Sequence, residues 1–465
     1  MWQSGRRATD AAPDPPVTPE DALAVADRVV AMAAPGEQVE AVVSWSRDTE
    51  VRAYDGEVEH FVSAESAGVG VRVIRDGRQG LAWAGVLDDA ALAECLSEAR
   101  DNAAFGTPDD HAGLAEPDGI PVPELALHDP RLAAVTAERR IALAVELERL
   151  VLAGDPRMAG VESADYADSE SVGAIASTTG IRVTGAETSA FLGAWALAGD
   201  DDGATTGFGF SVGRTAEDLD PERAAADAVA RCTELLGATK APSERLTVVL
   251  DPYVTSQVLG VLAELLDGEA VLRGRSAFAG RVGEPVAAPS VTLYDDPLDL
   301  RAPTASDVDG EGLACRRVPL LTSGRLDGFL HNAYTARASG TVSTGSADRP
   351  SLRAAPGVGP RVLTLAPGTT TPEEVLAAVG DGLLVRELAG LHSGVNPVSG
   401  DLSVGAEGVR IRGGEPAEPV REVTIASTLQ RLLLDVVVVG SDLTYFPWES
   451  TGVTLAVADV TMSGT

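Results

Sequence analysis

The chain has 465 residues, 45% hydrophobic and 23% charged, which suits two or three globular domains, each with its own core. Asp and Glu number 70 against 36 Lys and Arg, so the formal net charge is −34. That charge repels nucleic-acid phosphates and anionic membrane surfaces, and no basic tract or membrane-length apolar run offsets it.

Arg6-Arg7 is followed by Asp and Pro residues over Ala8–Val17 instead of an apolar segment, so no export signal is expected and a cytoplasmic location is. Residues 1–17 read as a disordered tail. Thr18-Pro19-Glu20-Asp21 then starts a helix to about Ala34, with a hydroxyl N-cap, proline in the first turn and acids near the helix N-terminus. Four or five short alternating runs follow: Glu40–Ser46, Glu50–Tyr54, Val58–Ala64, Gly68–Ile74 and Gln79–Ala84. Asp55-Gly56 and Asp76-Gly77 are hairpin turns between them. A helix capped by Asp88 closes an α/β domain over 18–105, and the Pro-, Asp- and Gly-rich stretch 106–135 reads as a linker.

A middle α/β region, 136–240, is expected to continue the first sheet. It holds a helix over Thr136–Ala153, strands between Val161 and Val212, and an alanine-faced helix over Pro221–Leu236. Residues 241–465 read as a β-rich domain, closed or strongly curved, with helices near Pro252–Leu266 and at the Thr371–Glu374 capping box. Leu432–Val439 reads as a buried strand. The fold class is therefore α+β: an N-terminal α/β region with antiparallel sheet and helices, and a C-terminal β-barrel-like domain.

No catalytic constellation stands out. His60, His111, His128, His331 and His392 include no HExxH, HExxxH or HxH pair, and Cys95, Cys232 and Cys315 are widely separated with no CxxC, which suits three buried thiols. Gly209-Phe210-Ser211-Val212-Gly213 matches GxSxG, but Phe208 and Phe210 alternate with small residues and a polar loop follows where a nucleophile elbow needs a helix. A plain strand is the better reading. Gly68-Val69-Gly70 lacks the third glycine of a dinucleotide fingerprint. Asp295-Asp296-Pro297 and Asp307-Val308-Asp309-Gly310 read as solvated turns. Two segments dense in small polar residues suit a groove that receives an extended peptide by strand addition. The first contributes His331, Asn332, Thr335, Thr344 and Gly345, and the second His392, Asn396, Ser399, Gly400, Asp401 and Ser403.

The order and spacing of several short motifs resemble the TldD/PmbA family, in its TldE (PmbA) branch. They are Tyr54–Glu59, Ser63–Ser66, Gly68–Val73, Asp76–Gly80, Val248–Pro252, Arg273–Ser276, Gly283-Glu284, Asp295–Pro297, Ser343–Gly345 and Ser399–Asp401. The resemblance implies a TldD-like zinc metallopeptidase chain as partner, unfolded or extended peptide as substrate, and an enclosed substrate channel. In that family the metal-bearing chain carries HExxxH on the helix after the first C-terminal strand, with a later cysteine as third ligand. Those positions fall here on about Gly260, Val261 and Leu265, and no cysteine follows Cys315. Two imidazoles and a glutamate are what fix Zn²⁺ and activate its water. The resemblance therefore implies a non-catalytic subunit, with no catalytic or metal residue and no cofactor of its own, and with zinc in the partner. A family member recruited to tailor a peptide or small-molecule natural product, and a non-enzymatic binding or scaffold protein, are the alternatives.

Overall fold

The computed structural model describes residues 17–200, 203–396 and 398–464, so all of the expected tail but Val17 lies outside the described residues. Thr18 caps α1 (Pro19–Ala31): its hydroxyl accepts the Asp21 N–H at 3.1 Å, and the Asp21 carboxylate accepts the Thr18 N–H in return. The helix stops three residues short of Ala34 because the Met32 N–H turns back to the carbonyls of Val29 and Val30.

Three long strands follow: β1 (Gln38–Tyr54), β2 (Glu57–Arg75) and β3 (Arg78–Ala84). The four expected runs over 40–74 are thus corrected to two continuous strands, whereas Gln79–Ala84 stands as β3. β1 and β2 pair from Gln38↔Ile74 to Tyr54↔Glu57, with one irregularity at Arg52/Ala53. Arg47-Asp48-Thr49 and Glu65-Ser66 interrupt the apolar pattern but contain no Gly, Pro or Asn, so nothing stops the backbone ladder there. The two Asp-Gly turns do reverse the chain, with positive φ at Asp55, Gly56, Asp76 and Gly77.

After α2 (Asp89–Phe105), α3 (Ala137–Gly154), β4 (Met158–Ser177), β5 (Arg182–Ala198), β6 (Thr205–Gly213) and α4 (Pro221–Glu234) complete one six-stranded sheet in the order β3-β2-β1-β4-β5-β6. Odd-numbered β1 side chains meet the helices. Val39, Ala41, Val43 and Trp45 pack with α1 and α2, while Val51 and Ala53 pack with α3 and α4. Val42, on the opposite face, packs with Ile175, Val183, Leu313 and Ala333 of a cluster that includes the C-terminal domain. The GxSxG segment lies within β6, as read. A Cβ added at Gly209 would stand 2.0 Å from the Ala224 carbonyl oxygen, so the glycine is there to let α4 lie on the strand backbone.

The C-terminal domain runs β7 (Glu244–Leu250), α5 (Pro252–Leu265), α6 (Gly268–Leu272), β8 (Leu293–Asp295), β9 (Val318–Thr322), β10 (Arg325–Leu326), α7 (Ala333–Ser339), β11 (Ala347–Asp348), β12 (Gly357–Val358) and β13 (Leu363–Leu365). It continues with α8 (Pro372–Val379), β14 (Gly382–Ala389), α9 (Leu391–Gly394), β15 (Asp401–Arg412), β16 (Glu415–Thr428), α10 (Leu429–Leu434), β17 (Val436–Val439) and β18 (Leu455–Ser463). Strands β16-β15-β14-β7-β18 form a closed five-stranded barrel, sealed by β16 pairing with β18. Alternate residues go to opposite sides. Val248, Leu250, Leu383 and Val385 join the large core with α5, and Val249 and Leu384 meet α8.

Two further expectations are corrected. Leu432–Val439 is not one strand: it divides between α10 and β17, with Asp435 as the helix C-cap. The Asp295 and Asp309 turns are not solvated. Asp295 accepts the Arg361 and Val362 N–H groups, Asp309 accepts those of Glu311, Leu313 and Ala347, and both side chains are buried. These carboxylates bind backbone amides from loops and from the start of β11.

A buried ion network joins the two halves of the chain. Arg72 of β2 donates to Glu40 of β1 at 2.8 Å and to Glu311 of the C-terminal domain at 3.3 Å, and Arg349 also donates to Glu40. The second Glu311 oxygen accepts the Ala333 N–H.

Candidate functional site

The barrel sets the position of one helix face. β7 ends at Leu250, and Asp251 caps α5 by accepting the Val254 N–H at 2.8 Å while ion-paired with Arg231 of α4. The face of α5 that carries Tyr253, Ser256, Gln257, Gly260, Val261 and Glu264 forms one wall of a cavity of about 780 Å³. Trp448, Glu449 and Ser450 form another wall, and Asp348, Pro360 and Leu391 complete it. Ser450 and Trp448 are tied to the helix through Ser256: the Ser450 hydroxyl donates to its carbonyl at 2.8 Å, and the indole N–H donates to its hydroxyl at 3.3 Å. The buried Oε1 of Gln257 has no hydrogen-bond partner among the described residues.

Gly260 and Val261 therefore line the cavity, while Leu265 is buried in the domain core. None of the three carries a metal donor, so these residues do not fit a zinc ion. Among the described residues, no three His, Cys, Asp or Glu side chains gather into a group able to hold a metal. All three cysteines are free and buried, and burial pushes the Cys95 thiol up to about 11.

The structure separates the two predicted groove segments. The first is an internal network around α7. Asn332 caps the helix and donates to the carbonyls of Pro356 and Gly357. Thr335 Oγ1 lies 3.1 Å from His331 Nδ1, Thr344 Oγ1 accepts the His331 N–H, and Gly345 sits at φ +70°. Burial lowers the His331 pKa and so favours the neutral ring. The second segment lies at the exposed barrel mouth between β14 and β15. His392 stands on α9 next to Leu391 of the cavity wall. Asn396 Oδ1 accepts the Val398 and Ser399 N–H groups, and the Ser399 hydroxyl donates to Asp401 at 2.7 Å. Gly400 is buried at φ +78°, and Ser403 is exposed on β15.

Sequence reasoning missed the aromatic residues that run from the first sheet to this cavity. Trp195 stacks on Phe208 with ring centroids 4.7 Å apart, Phe208 on Phe210 at 5.5 Å, and Phe210 meets Phe446 at 5.6 Å. Phe446 stacks on Trp448 at 4.9 Å, and Tyr253 stands edge-on to both. The available signal was Phe208-Gly209-Phe210 together with Phe446-Pro447-Trp448, in a chain with only 4% aromatic residues.

Three segments of the chain match three domains of one family. Residues 39–103 match PmbA/TldA metallopeptidase domain 1, 130–236 its central domain and 243–464 its C-terminal domain. The chain is 28% identical over 407 residues to Metalloprotease PmbA of Escherichia coli O157:H7, with 87% of each chain covered. A solved structure from Thermotoga maritima superposes with a TM-score of 0.87 at 26% identity, covering 95% of this chain and 99% of that one. TldE from Thermococcus kodakarensis shares the fold, with a TM-score of 0.86 at 23% identity over 96% of this chain and 99% of its own.

Proposed function

The chain belongs to the PmbA/TldD metallopeptidase family, in its PmbA branch, and from that premise we propose that it is a subunit without a hydrolytic centre of its own. It pairs with a TldD-like chain that supplies HExxxH and zinc, and the complex degrades or processes unfolded peptides. The observation that carries this reading is the face of α5. Where the family's metal-bearing chains have imidazole and carboxylate, the cavity wall here presents Gly260 and Val261, and Leu265 is spent on the core. Such a wall shapes a substrate space and binds no Zn²⁺.

The aromatic faces of Tyr253 and Trp448 on the cavity wall suit the apolar side chains of an extended peptide, which predicts broad sequence tolerance. His392, Asn396, Ser399, Asp401 and Ser403 form the proposed rim.

The test is metal content and peptidase activity of the purified chain, alone and mixed with an HExxxH-bearing family chain from the same genome. The expected result is a metal-free, inert chain and a mixture that cleaves unfolded peptide. Stoichiometric metal or cleavage by the chain alone would overturn the reading.

A further inference from the structure

Half of β2 has a free edge. β1 pairs with it down to the hairpin turn, whereas β3 reaches only Val69–Arg75, and no described residue pairs with Glu57–Gly68 on the other side. Every residue from Glu57 to Ala67 is exposed, whichever face it points to. Phe61 shares the face of its partner Val51, and Val62 shares that of Glu50, so an apolar side chain about 40% exposed stands on each face.

The edge is held in place. Glu148 of α3 accepts the Asp55 N–H at 2.7 Å and the Gly56 N–H at 2.9 Å, which fixes the hairpin turn. Arg47–Glu65 and Thr49–Ser63 contacts join the two strands behind it. Soluble proteins usually blunt a long open edge with charged side chains, lysine above all, with proline or with a covering loop, because its unpaired N–H and C=O groups template further pairing, and here the charges are Glu57, Glu59 and Glu65 alone. Glu57–Ala67 contains no lysine and no proline.

We propose that this edge is an assembly surface: a strand of the metallopeptidase partner chain pairs with Glu57–Ala67 and extends the six-stranded sheet across the subunit boundary. The proposal rests on the pairing described above and adds where it occurs. A lone peptide would satisfy the backbone groups but leave Phe61 or Val62 in water. A folded partner brings side chains to both faces. A second copy of this chain paired antiparallel over the full length of Glu57–Ala67 would set Glu59 against Glu65 twice, between chains of net charge −34 each. The partner strand therefore carries neutral or basic residues opposite those positions.

The test is hydrogen–deuterium exchange of the full chain, alone and with the HExxxH-bearing chain, together with affinities for F61E/V62E and E57K/E59K. All four side chains are exposed, so circular dichroism and melting should match the parent. Slowed exchange across 57–67 in the complex, and affinity at least about tenfold weaker for F61E/V62E with a smaller change for E57K/E59K, is expected. A complex of unchanged affinity with no protection at 57–67 overturns the edge proposal and leaves the pairing intact. Failure of any complex to form overturns the pairing, and this proposal with it. Protection at 57–67 in the chain alone, rising with its concentration, makes the occupant a second copy and also overturns the proposal.

Discussion

Replacing Arg72 with Met should loosen the joint between the first sheet and the C-terminal domain. Arg72 is 4% exposed and its partners Glu40 and Glu311 are each 1% exposed, so solvent cannot take over for the lost guanidinium. The loss falls unequally. Glu40 keeps Arg349, whereas Glu311 keeps the Ala333 N–H as its remaining short hydrogen bond. Removing one member of a buried ion pair costs about 3–5 kcal/mol, mostly from the charge left behind. Met fills comparable volume, so the cost arises from charge and not from a cavity. Adding Glu311→Gln removes that charge and should recover about half of the loss, giving a coupling above about 1 kcal/mol in a double-mutant cycle. Burial alone would raise the Glu40 pKa, but Arg72 and Arg349 outweigh it and hold the carboxyl below its usual value. A depressed carboxyl stabilises the fold above its unfolded pKa of about 4.3 and loses that contribution as pH falls through the folded value. The Arg72→Met deficit should therefore be full at pH 7 and shrink below about pH 5. Urea unfolding followed by fluorescence at both pH values measures it. A parent-like midpoint at pH 7, or a deficit untouched by Glu311→Gln, would refute the reasoning.

Burial raises the Asp295 carboxyl to about 6 against the pull of its two backbone N–H donors. The folded chain then binds this proton more tightly than the unfolded one, so its contribution to stability rises as pH falls from about 7 towards 4. Asp295→Asn keeps the acceptor for Arg361 and Val362 and should flatten that part of a melting-temperature profile; an unchanged slope would count against it. Gly209→Val should destabilise by about 1–3 kcal/mol or more by forcing α4 off the β6 backbone, read as a lower denaturation midpoint. Ser211→Ala removes the acceptor of the Asp220 N–H, costs about 1 kcal/mol, and should leave peptidase activity of the mixed complex unchanged. A tenfold loss of that activity would restore the nucleophile reading of the GxSxG segment.

What the sequence determined by itself was local. The Thr18 and Thr371 caps, the Asp55-Gly56 and Asp76-Gly77 turns and the start of α5 after Asp251 depend on residues within a few positions of each other, and all stand where the pattern put them. The α5 positions without metal donors could also be read from residue identity. Tertiary structure decided the rest. Polar residues within β1 and β2 looked like breaks, yet strand pairing over the whole length carried the chain through them. Asp295 and Asp309 looked like surface turns, and became buried acceptors because distant segments brought backbone amides against them. His331, Asn332 and Thr335 looked free to bind a peptide, but their polar atoms close a network with one another and with residues 344–357. The aromatic side chains of β5 and β6 met those of α5 and the loop before β18 only when the two domains docked, through Phe210 against Phe446 and Trp448. A side chain's neighbours in the chain fix its local geometry, but burial and available partners depend on contacts far apart in sequence, which no short pattern records.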